Sequence, residues 1–432
     1  MAELAVRGGP RAVKIGLGVS WPVLGEPERQ AVQQVLDSGI LNGPEAPQTR
    51  GLEREFAGFI GVRHALATNS GTSALHLAVE AAGVRAGDEV ITSAFTYVAS
   101  ALAILHHNAI PVFADIDPVS FNLDPARVAE RITPRTRALL PVHIHGLPAD
   151  MDEINALARR HGLAVIEDAA QAHGAVYRGR KAGALGDMAG FSFNATKNLP
   201  CGEGGIFVTD QDRFLGPAKR LRLHGYEGEL LPFDPTHPLD EEGNQEVTGL
   251  GWMYLPQELP SAIARAQLRR LEGFNTNAAA NAARLTARLS NLPGIRPPVC
   301  PADRTHVYHK YRVRLDPAAM GLDVPPARLR DALLPALKAE GVECALWGDR
   351  PVPALPLFRE RAGYGGGCPW TCHGSTVRYD GAEYPRTIEL IEGSLIVGSQ
   401  SFPLFPQPAL LMDQWADAFE KVLARVTDLL RA

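Results

Sequence analysis

The sequence has few cysteines, no long apolar run and no apolar stretch near its beginning. Five cysteines among 432 residues form no dense disulfide framework, which favours a reducing compartment. No apolar run approaches the roughly 18 residues that a membrane-spanning helix requires. The first residues, MAELAVRGGPRAVK, lack the apolar core of a secretory signal. We therefore expect a cytoplasmic protein that does not enter a membrane.

An excess of positive charge is also lacking. The formal net charge is −5, the isoelectric point is about 6.2, and no basic stripe typical of a nucleic-acid-binding surface is visible. An anionic ligand must then be held by local groups. The hydrophobic fraction of 45% and the charged fraction of 21% are ordinary for a globular protein. Only seven of the 43 basic residues are lysines, so any lysine chemistry has few candidates.

Strand-like and helix-like segments alternate through the first half of the chain, as at His64–Thr68 and Met151–His161. This alternation predicts the α/β class, with a mostly parallel sheet sandwiched by helices. The pattern then changes to longer helical stretches. We predict an N-terminal arm over 1–25, a large domain over 26–275 and a smaller α+β domain over 276–432.

The remaining predicted strands are Asp88–Ile91, Pro111–Ala114, Ala138–Val142, Leu163–Glu167, Ala189–Phe193, Gly205–Val208 and His309–Leu315; the remaining predicted helices are Leu52–Phe59, Ala74–Ala82, Thr96–His107, Gln257–Leu271, Thr276–Leu292, Pro326–Glu340 and Leu411–Leu430. Residues 228–250 and 359–386 are long and rich in glycine, proline and charge, which is typical of functional or flexible loops.

A small polar turn, Asn69-Ser70-Gly71-Thr72-Ser73, separates a predicted strand from a predicted helix. The start of a helix offers free N–H groups and a positive dipole end, which suit a phosphate. Gly71 permits close backbone approach, and Thr72 and Ser73 add hydroxyl groups. An ordinary turn with a helix cap explains the same residues.

Two adjacent carboxylates, Glu167 and Asp168, end another predicted strand. In open α/β sheets, ligands bind at the carboxyl ends of the strands. One of the carboxylates could hold the protonated nitrogen of a heteroaromatic ring, whereas capping of the next helix by Asp168 is the plainer explanation.

A third segment carries Ser192 at a strand end and Lys197 five residues later, followed by the glycine-rich CGEGG. Its apolar and glycine-rich surroundings predict that Lys197 is buried. A buried lysine has a lowered pKa and can act as an amine nucleophile.

Together, the three segments provide a phosphate cradle, a carboxylate for a pyridine nitrogen and a lysine for an aldehyde. These are the anchors of pyridoxal 5'-phosphate, PLP. The catalytic residues are then Lys197 and one of the two carboxylates, Glu167 or Asp168.

At this point the sequence resembles the DegT/DnrJ/EryC1/StrS family of sugar aminotransferases, which are PLP enzymes of fold type I. The resemblance runs from about Trp21 to the C-terminal helix. It rests on the motifs NSGTSAL (69–75), SAFTYVAS (93–100), PVFADIDPVSFNLD (111–124), PVHIHG (141–146), EDAAQAHGA (167–175), FSFNATKNLPCGEGG (191–205) and FPLFP (402–406).

The resemblance implies a role for each matched residue. Lys197 forms the Schiff base, Asp168 pairs with the pyridine nitrogen, Gln171 lies near the ring hydroxyl, and Tyr97 stacks on the ring. The phosphate contacts are implied for a set of small residues, namely Gly71, Thr72, Ser73 and Ser192. A homodimer is implied as well.

One stretch departs from the family pattern. The family usually has an asparagine and an arginine where this chain has Met253 and Leu255. That asparagine reaches the phosphate across the dimer interface, and methionine cannot donate a hydrogen bond. The contact is therefore not carried over.

Other candidate sites are weaker. His143 and His145 could bind a metal, but no matching ligand cluster has clear spacing, and we expect no metal. Cys368 and Cys372 stand in a glycine-rich segment without a second pair, which favours a loop with free thiols.

The prediction is a PLP-dependent aminotransferase that transfers an amino group from glutamate or glutamine to a nucleotide-linked ketosugar or a ketocyclitol, in amino-sugar or antibiotic biosynthesis. A lyase or dehydratase, or an amino-aromatic synthase, on the same cofactor is the alternative. The dehydratases carry histidine in place of Lys197, which disfavours them. A non-catalytic regulator is a further alternative.

Overall fold

The computed structural model describes residues 3–14, 18–43, 46–226 and 246–431. The helices are α1 (Glu26–Ser38), α2 (Pro47–Ile60), α3 (Gly71–Ala81), α4 (Ala99–His106), α5 (Pro125–Arg131), α6 (Met151–His161), α7 (Asp212–Arg222), α8 (Glu258–Leu268), α9 (Leu271–Leu289), α10 (Pro326–Glu340), α11 (Pro356–Arg359), α12 (Pro385–Glu392), α13 (Ala409–Leu423) and α14 (Val426–Arg431). The strands are β1 (His64–Thr68), β2 (Glu89–Ser93), β3 (Ile110–Ala114), β4 (Thr136–Leu140), β5 (Ala164–Asp168), β6 (Val176–Tyr177), β7 (Arg180–Lys181), β8 (Met188–Ser192), β9 (Gly205–Thr209), β10 (Ile295–Arg296), β11 (Tyr311–Leu315), β12 (Cys344–Ala345) and β13 (Ser394–Val397).

A seven-stranded sheet in the order β1-β9-β8-β5-β4-β2-β3 forms the centre of the first half. The pairs from β8 to β3 are parallel, while β9 runs antiparallel to both β8 and β1. β1 therefore runs in the same direction as the parallel strands. This confirms the predicted mostly parallel sheet in the α/β class.

Helices cover both faces of this sheet, because its strands are apolar on both sides. Neighbouring residues of β2 show this: Val90 packs in the cluster with Leu77 of α3, and Ile91 packs in the cluster with Met151 of α6. In α6 the buried residues Met151, Ile154 and Ala158 recur at helical spacing.

A second, antiparallel sheet in the order β10-β11-β13-β12 lies in the later part of the chain. Its core includes residues of α9, α10 and α13. The predicted domain boundary after residue 275 falls inside α9, so one continuous helix connects the two parts of the chain. The division into domains stays a prediction.

Several predicted helices differ from the structure at their ends. α2 begins at Pro47 instead of Leu52, and α9 spans Leu271–Leu289 instead of Thr276–Leu292. α4 begins at Ala99 instead of Thr96, because the backbone before it forms a turn that carries Tyr97. The predicted helix Leu411–Leu430 is interrupted after Leu423, so it forms α13 and α14. None of the described helices combines the length and apolar character needed to cross a bilayer.

The segment 359–386 packs against the large sheet. Its Trp370 and Tyr379 are buried in a cluster with Phe113 of β3, and the Trp370 Nε1 donates to the Tyr379 hydroxyl at 2.8 Å. Cys368 and Cys372 are joined by a disulfide, so the expectation of free thiols there is wrong. Their Cα atoms are 5.2 Å apart, because the chain turns between them. Most of the other predicted loop, residues 227–245, lies outside the described residues.

Candidate active site

The predicted site residues all follow strands that end at one edge of the large sheet. Parallel strands bring their carboxyl ends to the same edge, where an open α/β sheet binds ligands. The residues after β1, β2, β5 and β8 are, in chain order, Gly71, Thr72, Ser73, Tyr97, Asp168, Gln171, Ser192 and Lys197, where Asp168 and Ser192 are the last residues of their strands.

The turn after β1 provides a close-packed start for α3. Ser70 is the N-cap, and its Oγ accepts a hydrogen bond from the Ser73 backbone N–H at 3.1 Å. The N–H groups of Gly71 and Thr72 lie in the first helical turn, where no acceptor exists within the helix. A Cβ on Gly71 would lie 2.6 Å from the Ser192 Cβ, so only glycine permits this approach. The geometry suits an anion such as phosphate.

Ser73 is engaged differently from the other predicted phosphate contacts. Its hydroxyl donates to the Asn69 Oδ1 at 2.6 Å and lies 2.8 Å from the Ser70 Oγ, and the residue is buried. These bonds make Ser73 part of the helix cap. A phosphate contact by its side chain stays a prediction.

The two adjacent carboxylates at the end of β5 have different partners. Glu167 accepts three backbone N–H bonds from 183–186, each at 2.7 Å, and pairs with the His143 Nε2 at 2.8 Å. The hydrogen-bonding capacity of Glu167 is therefore used to hold the backbone of 183–186 and the ring of His143. Asp168 accepts from the Ser100 Oγ at 2.6 Å. Asp168 keeps lone pairs for a further donor, which agrees with a carboxylate that receives a ring N–H.

Lys197 lies in the connection between β8 and β9. Its backbone N–H donates to the Asn194 carbonyl at 2.9 Å, and its carbonyl accepts from the Trp21 Nε1 at 3.1 Å. Its Nζ has no hydrogen-bond or ion-pair partner within the described ranges. Burial lowers the pKa of Lys197, while the charges of Asp168 and Glu203 oppose that shift. The result is a half-buried lysine close to Asp168, whose amine has a lowered pKa.

Gln171 and Tyr97 complete the predicted set. The Gln171 Oε1 accepts the His145 backbone N–H at 2.8 Å, so its side-chain orientation is held and its amide N–H groups remain to donate. The Tyr97 side chain is 63% exposed at the mouth of the site, where its ring is free to stack on a bound group.

Several buried polar atoms around Lys197 lack a partner. Among the described residues these include the His145 Nδ1, both ring nitrogens of His173, the Asn198 Oδ1 and the His309 Nδ1. Burial lowers the pKa of both His173 and His309, and the charge of Lys197 adds to the shift. Unsatisfied buried polar atoms are costly, so their concentration here fits a site that receives a polar ligand. The residues present fit PLP.

The stretch that departs from the family pattern lies against the phosphate turn of the same chain. The Asn69 N–H donates to the Tyr254 carbonyl at 3.0 Å, and its Nδ2 donates to the Met253 carbonyl at 3.3 Å. Both contacts use backbone carbonyls, so they do not depend on the side chain at residue 253. The Met253 side chain is 53% exposed.

Sequence reasoning missed Ser100, Trp21 and Lys310 as neighbours of the site. Ser100 stands in the SAFTYVAS motif, but its bond to Asp168 joins residues 68 positions apart. Lys310 had a usable signal, because it is one of only seven lysines and opens an apolar strand.

The two weaker candidate sites have structural partners. His143 is paired with Glu167, and the His145 Nε2 accepts from the Arg312 Nε at 3.0 Å. In the part of the chain that the structure describes, no group of three or more metal-binding side chains is assembled.

The fold and the family define a class of protein, the PLP-dependent aminotransferases of fold type I, and the predicted phosphate turn, Asp168 and the half-buried Lys197 lie at one edge of the sheet. Residues 22–375 match the model of the DegT/DnrJ/EryC1/StrS aminotransferase family, and the chain belongs to this family.

Individual relatives agree with this assignment. The spore coat polysaccharide biosynthesis protein SpsC of Bacillus subtilis (strain 168) is 37% identical over 348 residues, which cover 81% of this chain and 87% of SpsC. The solved structure of S. venezuelae DesV has 34% identity and a TM-score of 0.75. The match covers 92% of this chain and 94% of the DesV chain. The structure of 3-amino-5-hydroxybenzoic acid (AHBA) synthase has 26% identity and a TM-score of 0.80. The match covers 94% of this chain and 99% of the synthase chain.

Proposed function

We propose that the enzyme transfers an amino group from glutamate or glutamine to the ketone of a nucleotide-linked sugar or a cyclitol. The observation that carries this proposal is the half-buried amine of Lys197, which has no partner among the described residues and lies close to Asp168. The similarity to SpsC, a polysaccharide biosynthesis protein, and to DesI, whose structure was solved in the presence of its TDP-sugar product, supports an acceptor of the sugar kind. A role in amino-sugar or antibiotic biosynthesis follows from such a product.

The residues divide the binding of PLP between them. Gly71, Thr72 and Ser192 would hold the phosphate, and Asp168 would hold the ring nitrogen in its protonated form. Gln171 would donate to the ring hydroxyl, and Tyr97 would cover the exposed face of the ring. When bound, PLP supplies an aldehyde for the amine and a ring that accepts electrons from the amino carbon.

Lys197 then moves the proton. Because burial lowers the pKa of its ammonium group, its Nζ carries a lone pair at neutral pH more readily than an exposed lysine does. It would take a proton from the amino carbon of the donor and deliver one to the carbon on the other side of the transferred nitrogen. Trp21 and Asn194 hold its backbone, which limits the positions that the Nζ can reach.

The direct test is Lys197→Ala. Because the variant lacks both the amine nucleophile and the proton carrier, we expect amino transfer to fall by at least about a thousandfold. The measurement is the release of 2-oxo acid from the donor, with a panel of ketosugars and ketocyclitols as acceptors. Lys338→Ala removes an exposed lysine of α10 and should leave the rate unchanged. Sustained turnover by Lys197→Ala would refute the assigned role.

The similarity to AHBA synthase supports one alternative, an amino-aromatic synthase that uses the same lysine. The two activities differ in their products, because the synthase releases water from a ring and the aminotransferase releases a 2-oxo acid. Mass spectrometry of the product from each ring substrate separates them.

We also propose a homodimer. Leu250, Trp252 and Met253 are apolar and exposed beside the phosphate turn, with Leu250 91% exposed. Exposed apolar groups next to a site are typical of a surface that a second subunit covers. Light scattering of the purified protein measures the mass in solution, and a mass of one chain would contradict this proposal.

A further inference from the structure

The segment that leads into β11 runs beside the candidate active site. The Asn198 Nδ2 donates to the Val307 carbonyl at 3.0 Å, and the Lys310 N–H donates to the His145 carbonyl at 3.3 Å. Asn198 is the residue after Lys197. The segment is therefore held between the loop that carries the catalytic amine and the loop after β4.

Two basic side chains of this segment lack a carboxylate partner in the described ranges. Arg312 is buried, and it donates to the His145 Nε2 at 3.0 Å, the Ser394 Oγ at 2.5 Å and the Trp347 carbonyl at 2.7 Å. These acceptors are neutral, so they satisfy its N–H groups without cancelling its charge. The Lys310 Nζ has no hydrogen-bond or ion-pair partner within the same ranges.

The positive charges act on one another. Burial and the charges of Lys197 and Arg312 lower the pKa of Lys310 to about 8. Lys310 still carries its proton for the most part at neutral pH. Uncompensated charges in a desolvated place are costly, and an anion that enters would relieve the cost.

The proposed reaction brings such an anion. An amino-acid donor carries its α-carboxylate on the carbon that bears the amine, and that carbon must come within reach of the Lys197 Nζ. The receptor for the carboxylate must therefore be a cation near Lys197. The phosphates of a nucleotide-linked acceptor are the second source of anionic oxygen, but they lie farther from the reacting carbon.

We propose that Lys310 binds the α-carboxylate of the amino donor, with the charge of Arg312 behind it strengthening the attraction. The inference rests on the proposed function. It gives Lys310 a binding role in the first half of the reaction only, when the donor occupies the site.

The two half-reactions test this separately. The amino donor alone converts the PLP-bound enzyme to its aminated form, and this conversion changes the absorbance of the cofactor. The ketone acceptor reverses the absorbance change. We expect Lys310→Met to raise the donor concentration for half-maximal conversion by about ten- to a hundredfold, since a charge-assisted bond is lost. The acceptor step should keep its concentration dependence. Lys310→Arg should restore most of the donor affinity, and Lys338→Met, which removes an exposed lysine, should behave as the wild type.

A binding measurement independent of turnover uses glutarate, a dicarboxylate that has no amine to react. Calorimetry should show that the wild type and Lys338→Met bind glutarate, and that Lys310→Met binds it at least about tenfold more weakly. If thermal melting shows that Lys310→Met is unfolded, Lys310→Gln takes its place in both assays.

The outcomes separate the inference from the proposed function. Unchanged donor and glutarate affinities in Lys310→Met would overturn the inference while amino transfer by the wild type stands. A defect confined to the acceptor step would also overturn it, because Lys310 would then serve the phosphate of the acceptor. Absence of donor-dependent conversion in the wild type itself would instead refute the proposed function.

Discussion

At the scale of single residues, hydrogen-bond partners decide which roles two chemically similar side chains can take. Glu167 and Asp168 are adjacent carboxylates at one strand end, yet Glu167 is saturated by backbone N–H groups and His143, and Asp168 is held by Ser100. Sequence reasoning placed both at the correct edge. It chose Asp168 through the family resemblance, because the partners come from distant parts of the chain.

The bond between Ser100 and Asp168 leads to a prediction. A hydrogen bond to a charged group contributes about 1.5–3 kcal/mol, so Ser100→Ala should lower kcat/KM for amino transfer by about ten- to a hundredfold. Steady-state kinetics measure the effect. Thr133→Val removes the matching bond to Glu89, 2.5 Å long, at the other end of the sheet, and should leave the kinetics unchanged. Equal kinetics for Ser100→Ala and the wild type would show that Asp168 needs no such support.

At the scale of elements, β9 supports the phosphate turn. Gly205 begins β9 and pairs with Thr68 of β1 on one side and Ser192 of β8 on the other. A Cβ on Gly205 would lie 2.3 Å from the Ser70 carbonyl oxygen, so the turn and the strand are in contact through backbone atoms. A glycine of the CGEGG segment is therefore required by packing against the turn.

Gly205→Ala should displace that turn. Forcing a methyl group against the backbone costs about 1–3 kcal/mol, which we expect to appear as a lower Tm and about tenfold or greater loss of PLP affinity. Thermal melting and equilibrium dialysis of the cofactor measure the two effects. Gly58→Ala is the matched control, since its Cβ would meet no atom within 4 Å on α2. Alanine favours a helix, so Gly58→Ala should raise the Tm and leave PLP affinity unchanged. Undiminished PLP affinity in Gly205→Ala would contradict the packing argument.

At the scale of the whole molecule, buried histidines make stability depend on pH. Burial lowers the pKa of His76, His173 and His306 to about 3 from an ordinary value of 6.5. Between these two values the unfolded chain binds protons that the folded chain does not. The stabilisation is fully present above pH 6.5 and is lost progressively as the pH falls toward 3.

Urea unfolding at pH 7.5, 6 and 5 measures this loss. Each buried histidine should remove up to about 1.4 kcal/mol per pH unit below 6.5. In His306→Asn an amide oxygen can replace the Nδ1 that accepts the Tyr308 N–H at 2.9 Å, and the titrating group is gone. Its free energy of unfolding should therefore fall less steeply with decreasing pH. If the free energy of unfolding of the variant depends on pH as steeply as that of the wild type, His306 has the same pKa in the folded and unfolded states.

Much of the fold was predictable because each element carries its own local pattern. β1, α6 and α10 begin and end as predicted, since their apolar spacing lies within the elements and a glycine, Gly162 or Gly341, directly follows each helix. The short strand β12 and the start of α4 were not predicted, since neither has a local signal. The closure between Cys368 and Cys372 depends on how the loop turns, and spacing alone does not show it.

The sequence by itself determined the α/β class and the cofactor class, because those properties depend on local pattern and on chemistry that few side chains possess. The roles of Lys197 and Asp168 stay predictions. Only the tertiary structure decided which polar groups are already satisfied. It gave Glu167 its backbone donors, placed Ser73 in a helix cap, set Ser100 against Asp168 and left Lys310 without a partner among the described residues, because hydrogen bonds and buried charges join residues that are distant in the chain.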